Sequence, residues 1–104
     1  MNSDVTPPLT FRDFAAALMG GDEARAREIL AQLLAVDAAV AEAATRTFAE
    51  KMATGPAFIE KAMSMRTAVA AKDPAALTAL IEACFGLAAD VARGSAAAVL
   101  ARYP

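Results

Sequence analysis

Histidine and tryptophan are absent from the 104 residues, and cysteine occurs once. Without histidine there is no phosphotransfer helix, no His-x-x-Glu di-iron site and no histidine-based acid–base dyad. A single cysteine, Cys84, excludes an intrachain disulfide and a cysteine-based zinc site. Its thiol has no histidine to act as base, so it reads as a small buried core residue. A basic stripe is also missing. Ten basic and twelve acidic side chains are interspersed and leave a net charge of −2. The long-range attraction that nucleic acid or an anionic lipid surface requires is therefore not expected.

The opening "MNSDVTPP" lacks the basic start and apolar run of a secretory signal. No stretch of about 18 apolar residues runs without charge, so no transmembrane segment is expected. The expected compartment is the cytoplasm.

What the chain has in excess is alanine. Apolar residues make up 58% of it and aromatics only 6%. The difference is about thirty alanines, far above ordinary usage. Alanine loses no side-chain entropy in a helix, yet it contributes little apolar area, so such helices need close packing or a partner. No alternating run bounded by turn residues suggests a strand. The expectation is an all-α fold: an antiparallel bundle or extended helical hairpin of three long helices plus a short first one.

Residues 1–8 read as a disordered lead-in, and 9–104 as a single helical domain. In "LTFRDF", Thr10 caps a short helix over Phe11 to Met19, Asp13 sits at its third position, and Leu9 staples onto Phe14. Gly20-Gly21 stop it. "GGDE" matches the start of the diguanylate cyclase signature. Ala24 follows it instead of Phe, and no strand flanks it, so it reads as a helix stop followed by the cap Asp22. A second helix is expected over Glu23 to Ala53, with Leu33, Val36, Val40, Ala44, Phe48 and Met52 on one face. Glu42, Arg46 and Glu50 follow at four-residue steps as a solvated ladder. Gly55-Pro56 ends this helix or kinks it, and the third runs to about Ala71. Asp73-Pro74 starts the fourth, expected to run unbroken to about Ala101. Gly86 and Gly94 stand inside it, as sites of close contact or local plasticity.

No i, i+3 or i, i+4 carboxylate pair marks a metal or acid–base centre, so no catalytic, cofactor or metal residue is assigned. Asp37, among valine and alanines, reads as an edge residue or a buried acid. Arg66, with Lys61 one turn before it, reads as a flank residue or an anion clamp without a second arm. Met52, Met63 and Met65 read as core filler or an adaptable contact surface.

The stretch "FIEKAMSMRTAVAAKDPAALTALIEACFGLAADVARGSAAAVLA", from Phe58 to Ala101, resembles the phasins. These bacterial proteins coat polyhydroxyalkanoate granules. Lys72, Asp73, Pro74 and Leu77 match the family's helical corner, and Phe85 stands at its early aromatic. Glu82 departs from the glutamine often found three residues before that aromatic. The resemblance implies a non-enzymatic, granule-associated protein that self-associates as a homo-oligomer and lays apolar helix faces on a polymer surface. The contact surface expected on this basis is Leu77, Leu80, Ile81, Phe85 and Leu87. The alternative is a helical homo-oligomeric adaptor or regulator.

Overall fold

Four helix starts in this chain are closed by the side chain just before them. In the computed structural model, which describes residues 10–102, Thr10 Oγ1 accepts from the Asp13 amide at 3.2 Å. The Asp13 carboxylate in turn accepts from the Thr10 amide at 2.8 Å, completing the capping box. Asp22, Asp37 and Asp73 accept from the amides of Arg25, Val40 and Ala76 at 3.1, 2.9 and 3.1 Å. Pro56 and Pro74 occupy first-turn positions, where a missing N–H costs nothing. The resulting elements are α1 (Phe11–Met19), α2 (Glu23–Leu34), α3 (Ala38–Met52), α4 (Pro56–Ala70), α5 (Pro74–Phe85) and α6 (Ala89–Arg102). The expected lead-in over 1–8 and the Leu9 staple lie outside the described residues.

Among the described residues the fold is all-α, but six helices replace the expected three long and one short. The helix expected over Glu23 to Ala53 is broken after Leu34. Ala35 adopts the left-handed conformation at φ 55°, and the Val36 amide turns back to the Ala31 carbonyl at 3.1 Å. Asp37 then restarts the chain as α3. The helix expected from Pro74 to Ala101 is broken in the same way at Gly86, φ 68°, and α5 and α6 meet at a 120° bend. Gly55, at φ 132°, separates α3 from α4, which settles that boundary as a break between helices. Gly94 makes no close contact: a Cβ there would meet nothing within 4 Å.

These breaks follow a rule that the sequence hides. Residues 51 positions apart play the same structural part. Asp22 and Asp73 cap α2 and α5, each 12 residues long. Gly21 and Lys72 just before them both have positive φ, at 84° and 53°. Ala35 and Gly86 both close with left-handed residues, and α3 and α6 start at Ala38 and Ala89. Burial repeats too, as in Leu30 and Ile81, Leu33 and Cys84, and Phe48 and Val99. The chain is thus a three-helix unit, α1–α3, repeated as α4–α6. Packing between the units is reciprocal, since α2 lies against α6 and α5 against α3. Reciprocity of this kind is the mark of an approximate two-fold axis, as in an isologous dimer.

All five phenylalanines gather where the units meet. Phe48 stacks on Phe85 with centroids 5.2 Å apart, and Phe14 stands edge-on to Phe48 at 5.1 Å. Such pairs add to the stabilisation from area burial alone. The radius of gyration, 13.1 Å, is close to the ~13 Å of a compact 100-residue domain, so the bundle holds and the extended hairpin does not. Among the described residues no single helix is long and apolar enough to cross a membrane.

A methionine-lined groove between the repeats

The first helix of each unit covers the helix that follows it, α1 on α2 and α4 on α5. Between α1 and α4 lies a groove of about 290 Å³. Phe11, Phe14, Ala15 and Met19 come from α1 at helical spacing, and Ile59, Ala62, Met63 and Met65 come from α4. Phe48 and Met52 of α3 complete the apolar lining. Positions equivalent by repeat face the same space: Phe11 with Ala62, Phe14 with Met65. Where the first unit places a phenyl ring at residue 11, the second has only a methyl at 62. The missing side-chain volume is one reason the groove stays open.

Four of the five methionines line it. Met65 is buried at 1% exposure, whereas Met19 and Met63 are 73% and 59% exposed and Ile59 is 43% exposed. Large apolar groups left this open in a cluster mark a contact surface more often than scattered ones do. Among the described residues, the only charged ones lining the groove are Arg12 and Arg66. Both are exposed, and neither guanidinium has an ion-pair or hydrogen-bond partner among the described residues. No carboxylate of the described residues lines the groove. Asp13, next to Arg12, is held by Thr10.

The expected contact surface on the fourth helix is placed differently. Leu77, Ile81 and Phe85 are at most 1% exposed, inside the core, and Leu80 and Leu87 are half-buried against it. The bend at Gly86 is the reason. It folds α6 back over α5, so the wide apolar surface of a straight rod is covered within the chain.

Other sequence candidates resolve simply. Asp37 is an exposed helix cap. Cys84 is fully buried, and desolvation raises its thiol pKa, outweighing the lowering effect of the Lys61 and Lys51 charges. Lys61 is exposed and does not line the groove. Glu42 pairs with Arg46 at 3.3 Å as the ladder implied, and also with Arg27 at 3.6 Å, across from α2. Of the methionines considered in sequence, Met52 and Met63 join the groove and Met65 forms part of its buried side. Sequence reasoning misses Met19 and Arg12 as site residues, because nothing in the sequence says that α1 and α4 are neighbours.

Among the described residues the two buried hydroxyls are satisfied, Thr45 by the Ala41 carbonyl at 2.8 Å and Ser95 by the Leu34 carbonyl at 2.7 Å. No cluster of three potential metal ligands exists among the described residues. Comparison of the chain with protein-family models, curated proteins and solved structures returned no match.

Proposed function

We propose that this is a non-enzymatic helical protein that works by apolar contact, and that the groove between α1 and α4 is its contact surface. One observation carries the reading: Met19, Ile59 and Met63, three of the most exposed large apolar side chains, border the same hollow. Methionine suits this role because its unbranched, polarizable side chain adapts to irregular surfaces. Without convergent acid, base or nucleophile around the groove, binding is the activity it supports.

The second reading is the granule coat, with self-association, that the phasin resemblance implies. What supports it is the corner Lys72-Asp73-Pro74, which lies between α4 and α5 with Asp73 capping α5. On this reading the polymer contact moves from α5 to the open side of the groove. Sedimentation with polyhydroxyalkanoate particles tests it. The wild-type chain should pellet with the particles, and Met19→Asp/Met63→Asp should stay in the supernatant. A wild-type protein that remains in solution removes the granule reading. Light scattering that finds only monomer removes self-association.

A further inference from the structure

The groove combines a volume, a lining and a charge that together specify a class of ligand. Its volume, about 290 Å³, lies at the lower edge of the roughly 300–1,000 Å³ of small-molecule sites. That is room enough for a single medium-length alkyl chain. The lining is methionine, phenylalanine, isoleucine and alanine, which offers no polar group to a ligand's body. Among the described residues, the charged side chains on the lining are Arg12 and Arg66, both exposed and neither with an ion-pair or hydrogen-bond partner.

The asymmetry between repeats sharpens this. Arg12 corresponds to Met63, and Arg66 to Ala15, so each unit contributes one guanidinium at a non-equivalent position. The protein as a whole carries net charge −2, yet among the described residues this groove is bordered by two basic side chains and no acidic one. A guanidinium pairs best with a carboxylate or phosphate, which it can engage through two parallel hydrogen bonds.

Resting on the reading of the groove as a binding surface, we infer that it takes a medium-chain anionic amphiphile. The alkyl tail lies among Met19, Met52, Met63 and Phe48, and the carboxylate sits at Arg12 or Arg66. The flexible methionine side chains close over a tail whose own conformation varies. The head group remains near solvent, where the arginines are, so its charge is not stranded in the apolar interior.

Methionine-methyl NMR of the full chain tests this directly, with decanoate and decyltrimethylammonium as probes below their micellar concentrations. Decanoate should shift the methyl signals of Met19, Met52, Met63 and Met65 saturably, at least tenfold more tightly than the cationic probe. Arg12→Gln/Arg66→Gln should bring the two affinities within about threefold, by weakening decanoate. Both side chains are exposed, so the variant should keep the wild-type spectrum elsewhere. Equal affinities in the wild type would overturn the anionic preference and leave the groove as a general apolar surface. Decanoate binding that leaves these four methyls unmoved would overturn the site. Absence of any binding by either probe would remove both the ligand class and the groove reading.

Discussion

The hydroxyl of Ser95 donates a 2.7 Å hydrogen bond to the carbonyl of Leu34, joining the two three-helix units through a buried contact. Leu34 is the last residue of α2, where carbonyls have no intrahelical donor, so Ser95 fills a vacancy that the helix end creates. Ser95→Ala should lower the unfolding free energy by about 1–2 kcal/mol, because the bond is lost and a buried acceptor is stranded. Urea denaturation measures this. The repeat places Ala44 where Ser95 stands in the other unit, and Phe85 where Leu34 stands. Ala44→Ser should therefore be tolerated, at a change smaller than the Ser95→Ala loss, although it puts a hydroxyl into the core.

The left-handed residues Ala35 and Gly86 permit a test whose sign depends on the fold. In a continuous helix from Glu23 to Ala53, Ala35→Gly would cost about 1 kcal/mol. With Ala35 at φ 55°, the same change relieves a Cβ clash and should stabilise by about 0.5–1 kcal/mol. Gly86→Ala should destabilise by about 1 kcal/mol or more. Its φ is 68°, and the added Cβ would come within 3.3 Å of Thr47 Cγ2. Thermal unfolding of the two variants should move in opposite directions.

Asp37 and Ala88 hold equivalent places before α3 and α6, but only Asp37 has a side chain able to accept from the helix. Asp37→Ala should cost about 1 kcal/mol, and Ala88→Asp should gain a similar amount by closing the start of α6. Chemical denaturation with circular dichroism reads both.

Cys84 should be chemically quiet. Burial holds its thiol in the neutral form, outweighing the nearby lysines, and a neutral, inaccessible thiol is a poor nucleophile. Because the folded-state pKa is raised, unfolding becomes more favourable as pH rises past the thiol pKa of the unfolded chain, near ~8.5. Stability should thus be unaffected by this group at neutral pH and fall with rising pH above that value. Maleimide should label Cys84 in denaturant within minutes and leave the native chain unmodified over the same interval.

The helix starts are legible in the sequence because their chemistry is local. Thr10 with Asp13, Asp22 after Gly20-Gly21, and Asp73 with Pro74 all stand as the sequence implies. The break at Ala35 is not legible, since "LAVDAA" holds neither glycine nor proline and Asp37 looks like an intruder on an apolar face rather than a cap. Gly86 is visible, yet in the sequence it stands inside one long helix as a site of close contact or plasticity, and only the packing of α6 back onto α5 shows it to be a left-handed stop. The repeat is hidden because equivalent residues share burial and not identity: Phe14 with Met65, Leu34 with Phe85, Phe48 with Val99. The groove is half-legible. Arg66, Met52 and Met63 stand out in the sequence as residues in search of a role, but their partners lie on α1, far off along the chain.

The proposed contact surface and the proposed ligand both depend on the apolar groove between α1 and α4 being open in the folded protein. Titration with the anionic apolar dye anilinonaphthalene sulfonate reads that hollow in the folded state. The account predicts saturable fluorescence enhancement with one dye per chain, at least tenfold weaker binding in Met63→Asp, and reduced binding in Ala62→Leu, which fills the space facing Phe11. A native, cooperatively folding chain that gives no enhancement, or equal enhancement in all three proteins, would contradict it.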